Sequence, residues 1–217
     1  MTVRLALFDC DGTLVDGQAG VCNAMDAAFA DVGLPAPDRH LVRRIVGLSL
    51  PQAIRQLAPD AGASVCAAVD TAYREQFRAA RESGSLVEPL YDGITELVAT
   101  LRAAGWTLGV ATGKSQRGLA HCLAMHGLTA HFATLQTADN HPSKPHPAMV
   151  LAALAETGAE PDQCVMIGDT VFDIAMARAA DVRALGVNWG YHTAAELIEA
   201  GAEAVALDPA QLKELIG

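Results

Sequence analysis

The stretch Val3-Arg4-Leu5-Ala6-Leu7-Phe8-Asp9-Cys10-Asp11-Gly12-Thr13 decides the fold of this chain. Its first half is a short apolar run that predicts a buried parallel strand, and the glycine behind it permits the backbone to reverse. Asp9 and Asp11 are therefore expected at the carboxyl end of a strand, where open α/β sheets bind their ligands. Two carboxylates there can gather a hard cation such as Mg²⁺ while one of them remains free to attack. An ordinary turn and a calcium loop are the alternatives, and the immediate glycine together with Gly20 at the twelfth loop position disfavours calcium.

Two later segments carry groups suited to a phosphate. The apolar run that ends at Thr112 is followed by Gly113, Lys114 and a helix pattern from Ser115, and a hydroxyl with free N–H groups at a helix start predicts an anion site. In isolation, Thr112 would equally serve as a helix cap. The segment from Pro142 to Pro147 holds Lys144 in an extended loop between prolines. The only lysines of the chain are at 114, 144 and 213, and two of them fall in these segments.

The segment from Cys164 to Asp173 is a further apolar strand, which ends in Gly168-Asp169 and has Asp173 four residues later. This spacing places Asp169 and Asp173 together on the first turn of a following helix, where such a pair alone would be taken as a cap. Parallel strands bring their carboxyl ends to one edge of a sheet, so the polar groups of all these segments are expected to converge. The predicted fold class is α/β, with a Rossmann-like parallel sheet.

The four motifs together resemble those of the haloacid dehalogenase superfamily, most of whose members are phosphatases. The matching residues, from the first motif to the fourth, are Asp9 with Asp11, Thr112, Lys144, and Asp169 with Asp173. The resemblance covers the whole chain, and the stretch from Gly186 to His192 is similar to that of phosphoglycolate phosphatase relatives. It implies a core of this fold with an inserted helical cap, and an enzyme that hydrolyses phosphomonoesters.

The resemblance also implies a role for each matching residue. Asp9 is the nucleophile that forms an aspartyl-phosphate, and Asp11 is the acid-base group that protonates the departing oxygen and later activates water. Mg²⁺ is the implied cofactor, and the predicted metal-binding residues are Asp9, Asp11 through its backbone carbonyl, Asp169, and Asp173 from further out or through water. The phosphoryl oxygens are expected to be held by Thr112, the Gly113 N–H and Lys144.

The domain organisation follows from where strand patterns stop. Between Gly17 and Ser85 only helical patterns occur, over residues 21–32, 38–46, 51–57 and 64–81. Further strands are expected at 106–111, 131–135, 164–167 and 182–187, alternating with helices. We therefore predict a core domain formed by residues 1–16 and 86–217 and a helical cap domain over residues 17–85.

Composition favours a soluble enzyme. The 217 residues, 51% of them hydrophobic, suffice for one substantial core and a small accessory domain. A net charge of -10 without a basic stripe argues against a nucleic-acid partner. Neither a secretory signal nor a long apolar stretch occurs, and five cysteines without a C-x-x-C pair are expected to be reduced, so we expect a cytoplasmic protein with no membrane partner. The expected partner is a small phosphorylated metabolite, and the expected state is a monomer or homodimer.

Several functions remain open at this point. A phosphosugar mutase shares the motifs and a cap loop like that around Gly47-Leu48-Ser49, but Leu50-Pro51 stands where such mutases usually carry an arginine for a second phosphate. Arg43 and Arg44 could substitute for that arginine. Inorganic pyrophosphatase is a second alternative, and a non-enzymatic phosphate-binding regulator is disfavoured because no motif acid is lost. Dehalogenases lack an acid at the position of Asp11, and phosphonate-cleaving relatives need a cap lysine, which is absent here.

The leaving group is expected to be recognised by the cap loop. The polar or permissive positions nearest the expected entrance are Arg43, Arg44, Gly47 and Ser49. 2-Phosphoglycolate is the best single expectation, from the C-terminal resemblance, ahead of pyrophosphate and sugar phosphates. Lys114 and Arg117 either shape the electrostatic field at the entrance of the site or belong to a solvated first turn of a helix. Cys10 is expected to point away from the two aspartates and to pack.

Overall fold

A six-stranded parallel sheet forms the centre of the molecule, as a computed structural model that describes residues 2–217 shows. Its strands run across the sheet in the order β3-β2-β1-β4-β5-β6, and every neighbouring pair is parallel. The strands are β1 (Leu5–Phe8), β2 (Thr107–Thr112), β3 (Thr134–Thr137), β4 (Cys164–Gly168), β5 (Arg183–Val187) and β6 (Ala204–Ala206). The strand order reverses direction between β1 and β4, which is where such sheets open a crevice at their carboxyl ends. The predicted α/β class with a parallel sheet is confirmed.

Ten α-helices connect and flank the strands of the described chain. They are α1 (Gln18–Asp31), α2 (Arg39–Arg44), α3 (Leu50–Leu57), α4 (Ala63–Glu82), α5 (Ile94–Ala103), α6 (Gln116–Met125), α7 (Ala148–Thr157), α8 (Val171–Ala179), α9 (Ala194–Glu199) and α10 (Pro209–Ile216). None of these helices is both long and apolar enough to cross a membrane.

Strand β1 is continuously apolar because both faces of the sheet are covered. Leu5 and Leu7 point into one buried cluster with α7 and α8, while Ala6 and Phe8 point into another with α5 and α6. All four side chains are fully buried. The alternation fixes the register of the residues that follow, so that Cys10 continues on the side of Ala6 and Phe8.

Helices α1 to α4 form a separate layer of the molecule. Residues 18–82, all of them described, contain these four helices and no strand. Their apolar faces meet in a cluster of their own that includes Met25, Phe29, Ile54 and Val69. Residues 17–85 thus have the helical content that the sequence predicts.

Two details of the elements differ from the sequence-based expectation. The third strand begins at Thr134 instead of 131, because Thr129–His131 form a turn of 3₁₀ helix and pairing with β2 starts only where Thr134 meets Gly109. The edge strand β6 was not anticipated, since it has only three residues and is half covered.

Candidate active site

The ends of β1, β2 and β4 bring the predicted motifs to one place on the sheet edge. Asp9 directly follows β1, Thr112 closes β2 and Asp169 directly follows β4. Lys144 comes from the loop before α7, and Asp173 lies in the first turn of α8. All five residues are buried.

A lysine joins two of the carboxylates. The Lys144 ammonium lies 2.9 Å from Asp9 Oδ1 and 2.6 Å from Asp173 Oδ1. Carboxylate oxygens of Asp9, Asp169 and Asp173 lie within 4.8 Å of one another. We call these four residues the acidic cluster. It is completely closed to solvent in the described chain.

Two members of the acidic cluster are held by hydrogen bonds. The hydroxyl and the backbone N–H of Thr170 donate to Asp173 Oδ2 at 2.7 and 3.1 Å. The Thr13 hydroxyl donates to Asp169 Oδ1 and the Tyr191 backbone N–H donates to Asp169 Oδ2, both at 2.9 Å. Asp9 is different, because neither of its oxygens accepts a well-aligned hydrogen bond from residues 2–217, and its contact with Lys144 is an ion pair only.

Burial dominates the electrostatics of the acidic cluster. It raises the pKa of Asp9 to about 7, although the Lys144 ammonium lowers that pKa. Burial, and then the charges of Asp173 and Asp9, raise the pKa of Asp169 well above its usual value. For Lys144 burial lowers the pKa, but the carboxylates of Asp173 and Asp9 outweigh it and the net shift is upward. The loss of solvent, more than repulsion between the acids, therefore disfavours their ionised forms.

The acidic cluster fits a divalent cation. With all three carboxylates ionised, one ammonium would leave two negative charges in a buried place, and the raised pKa values of Asp9 and Asp169 reflect the cost of burying that charge. Asp9 has an oxygen free of donors, whereas both oxygens of Asp173 are already engaged by Lys144 and Thr170. Carboxylate oxygens are the ligands that Mg²⁺ prefers. Asp9 is thus better placed than Asp173 to touch a metal directly, whereas both oxygens of Asp169 also accept a hydrogen bond, from Thr13 and Tyr191.

Asp11 lies outside the acidic cluster and has its own partners. The Lys114 ammonium lies 2.9 Å from Asp11 Oδ1 and 2.6 Å from Glu88 Oε1. Burial lowers the pKa of Lys114, but the charges of Asp11, Cys10 and Glu88 raise it well above its usual value. Lys114 is therefore a buried cation between two acids and not part of a solvated helical turn.

The loop after β2 touches the loop that joins α2 to α3. A Cβ at position 113 would lie 2.6 Å from the Leu48 carbonyl oxygen and 2.7 Å from that of Gly47, so only glycine fits. The Ser49 backbone N–H donates to Ser143 Oγ at 2.7 Å, which ties the same loop to the segment of Lys144. Gly47 and Ser49 thus lie against both predicted phosphate segments.

Arg44 points away from this place. Its guanidinium pairs with Glu196, the shorter nitrogen–oxygen distance being 2.6 Å, and its backbone carbonyl accepts from His192 Nε2 at 3.0 Å. Neither Arg43 nor Arg44 lines the cavity described next, whereas Gly47 and Ser49 do. The role of all four in recognising the leaving group stays a prediction.

A cavity of about 720 Å³ separates the sheet edge from the helical layer. Asp11, Gly113 and Lys114 line it on the sheet side, and residues of α1 to α4 and of the 45–49 loop line it on the other side. Arg117 of α6 also contributes to its wall. The cavity is large enough to hold a substrate much bigger than a phosphate ion.

Sequence reasoning missed several residues that contact the motifs. Thr170 has a recognisable signal, since Thr-x-x-Asp before an apolar helix is a capping pattern. Glu88 has none, because it belongs to an irregular segment between α4 and α5. Cys10 packs as expected: it is buried and its sulfur lies 3.9 Å from that of Cys122.

Comparison with known proteins agrees with this architecture. The profile of the haloacid dehalogenase-like hydrolase family matches residues 6–187. "Probable phosphatase IndB" of Dickeya dadantii is 38% identical over 89% of this chain and 84% of its own length. The tyrosine-protein kinase PtkA of Mycobacterium tuberculosis is 33% identical over 98% of this chain and 71% of its own length. A phosphoglycolate phosphatase of Chromobacterium violaceum is 30% identical over 99% of this chain and 96% of its own length.

A solved structure shows the same fold. The crystal structure of a predicted phosphatase from Clostridium acetobutylicum superimposes with a TM-score of 0.89 at 24% identity and covers 100% of this chain and 99% of its own. The chain belongs to the haloacid dehalogenase-like hydrolase family. The predictions of this superfamily and of an enzyme of the phosphatase class are confirmed.

Proposed function

We propose that the protein is a Mg²⁺-dependent phosphomonoester hydrolase that works through an aspartyl-phosphate on Asp9. The observation that carries the proposal is the convergence of Asp9, Lys144, Asp169 and Asp173 in one buried cluster beside Asp11. Phosphoryl transfer needs little covalent chemistry from a protein, and charge stabilisation with positioning supplies most of the catalysis. The acidic cluster provides both at the end of β1.

The first half of the reaction starts at Asp9. One of its oxygens attacks phosphorus, the ester P–O bond breaks, and Asp11 gives its proton to the departing oxygen. Thr112, the Gly113 N–H and Lys144 hold the phosphoryl oxygens during this transfer. Mg²⁺, held by Asp9, Asp169 and the Asp11 carbonyl with Asp173 behind them, would neutralise phosphate charge that otherwise repels the nucleophile.

The second half returns the enzyme to its starting state. Asp11, now ionised, takes a proton from water, and the resulting hydroxide attacks phosphorus and releases Asp9 and inorganic phosphate. Lys114 supports this role, because its ammonium contacts the Asp11 carboxylate and is itself held by Glu88. We assign Lys114 and Glu88 as positioning residues for Asp11.

The helical layer supplies the enclosure. We propose that residues 17–85 act as a cap domain over a core formed by residues 1–16 and 86–217, in a cytoplasmic enzyme. The apolar cluster inside α1 to α4 and the contacts of the 47–49 loop with Gly113 and Ser143 support this division. A cap of this kind excludes bulk water while a small substrate reacts.

A panel of phosphate esters tests the proposal. p-Nitrophenyl phosphate, phosphoglycolate, pyrophosphate and sugar phosphates are assayed for phosphate release with Mg²⁺ and with EDTA. We expect release that requires Mg²⁺ and that differs between esters. No Mg²⁺-dependent release from any of them would overturn the proposal. A bisphosphate-primed assay with sugar phosphates tests the mutase alternative, which the pairing of Arg44 with Glu196 weighs against.

Transfer to tyrosine is a second candidate, because one relative is named a tyrosine-protein kinase. The same Asp9 intermediate would then pass its phosphoryl group to a phenol oxygen instead of water. Incubation with labelled ATP and tyrosine peptides distinguishes the two: we expect free phosphate and no labelled peptide. Labelled peptide in quantity would favour the kinase.

A further inference from the structure

The wall of the cavity that faces the motifs is formed by one face of α4. Arg74, Arg78 and Arg81 follow one another at spacings of four and three, so they project from the same side of the helix. All three line the cavity, and Arg117 from the first turn of α6 joins them. A protein with a net charge of -10 thus places four arginines around one cavity.

Three of these arginines lack an acidic partner. Arg74 is engaged, because its guanidinium lies 2.5 Å from Asp70 and 3.9 Å from Asp139. Arg78, Arg81 and Arg117 form no ion pair within 4.0 Å in residues 2–217. Burial and then the nearby charge of Arg117 lower the pKa of Arg81. The charges of Glu88 and Glu82 act on Arg81 from beyond ion-pair distance, so the guanidinium groups keep hydrogen-bond donors free for an anionic ligand.

Apolar side chains line part of the cavity, beside polar residues that include Thr71, Glu75 and Asp139. Val21, Met25, Ile45 and Phe77 line it together with the arginines. Pockets of a few hundred to about 1,000 Å³ enclose ligands of drug size, and this one measures about 720 Å³. A glycolate leaving group would fill only a small part of a cavity of this volume and would leave most of the apolar lining in water.

We propose that the natural leaving group is a bulky one with an apolar body and a second anionic group, a carboxylate or phosphate, which Arg78, Arg81 and Arg117 bind. The inference rests on the proposed function and specifies its substrate class. The acidic cluster binds the phosphoryl group that is transferred. The arginines bind the far end of the molecule, and the apolar lining packs against the part between them.

Matched esters test the inference by turnover. The three substrates are hexyl phosphate, the same ester with a terminal carboxylate, and the bisphosphate of the same chain. We expect kcat/KM to favour at least one charged ester over hexyl phosphate by about tenfold or more, the effect of one or two charge-assisted hydrogen bonds. In Arg81→Met and Arg117→Met, the ratio of kcat/KM for the charged ester to kcat/KM for hexyl phosphate is expected to fall towards one. Arg55→Met, on α3 and outside the cavity, is the matched control and keeps the ratio.

A binding measurement separates this inference from the proposed function. Hexyl phosphonate and its terminal carboxylate and phosphonate analogues are titrated calorimetrically into the protein with Mg²⁺, so that the outcome does not depend on turnover. Tighter binding of a charged analogue, lost in Arg81→Met, supports the inference even in an inactive protein. Equal affinity for charged and uncharged analogues overturns it. If Arg81→Met loses affinity equally for all the analogues and also binds inorganic phosphate more weakly, the inference is overturned as well. The arginines would then attract any anion.

Discussion

The two walls of the cavity are built in opposite ways. On the sheet side, behind the lining residues Asp11 and Lys114, the Asp9 and Asp173 carboxylates are fully buried and both contact the Lys144 ammonium. On the α4 side, Arg78 is exposed, Arg81 is half-buried, and neither is paired in the described chain. Removing one member of a buried charge group costs several kcal/mol, whereas an exposed unpaired side chain can change at little cost to folding. In the proposed function, the chemistry is therefore fixed by the folded core, and the proposed selectivity lies on a wall that can change at little cost to folding.

Asp9→Asn, on the sheet side of the cavity, should have the largest effect on activity. The amide keeps the size of the side chain but is not a nucleophile, so kcat with Mg²⁺ is expected to fall by at least about 10⁴-fold on every ester. Phosphate release by the purified variant measures it, and circular dichroism checks that the protein is folded. Asp162→Asn, an exposed acid far from the motifs, should retain full activity. Near-normal turnover by the Asp9 variant would remove Asp9 from the mechanism.

Mg²⁺ should stabilise the folded protein through the carboxylates on the sheet side of the cavity and not through the α4 side. At about 100 times its dissociation constant, a ligand of the folded state adds about 2.7 kcal/mol of stability. For a chain of this size that corresponds to a rise in Tm of about 5–10 °C, measured against the same protein in EDTA. Asp169→Asn is expected to lose most of this increment, and Asp162→Asn to keep it. An increment unchanged in Asp169→Asn would place the cation elsewhere.

Glu88→Gln should have the smallest effect, since it acts through Lys114 on Asp11. We expect kcat/KM to fall about tenfold on alkyl phosphates and much less on p-nitrophenyl phosphate, whose leaving group needs no proton. Asp11→Asn should show the same pattern with a larger loss, of about 10²-fold or more on alkyl phosphates. Glu82→Gln, at the exposed end of α4, is the control. Equal losses of the Glu88 variant on both esters would reduce Lys114 and Glu88 to a packing role.

The sheet side could be anticipated from the sequence, and the physical reason is local. Asp9, Thr112 and Asp169 each stand directly at the end of an apolar strand, so strand periodicity alone fixes their place on the edge of a parallel sheet. Thr170 could have been found by its capping pattern. These signals depend only on neighbours along the chain.

The opposite wall could not be anticipated, because its geometry depends on how α4 lies over the sheet. Arg78 and Arg81 have the spacing of any solvated helical face, and only tertiary packing turns that face towards the motifs. The sequence predicts Arg44 near the entrance between the domains, but its side chain pairs with Glu196. Glu88 lies in an irregular segment without any periodic pattern, so nothing in the sequence points to Lys114 as its partner.

The close approach of Gly113 to the carbonyls of Gly47 and Leu48 bears on how such a protein can diverge. The seam between the two layers consists there of main-chain atoms, which a substitution at position 48 leaves in place, whereas the φ of +97° at position 47 favours glycine. Substitutions on the exposed face of α4 likewise leave this contact between main chains in place. The seam thus separates an inherited catalytic apparatus from a surface on which new substrate preferences can evolve.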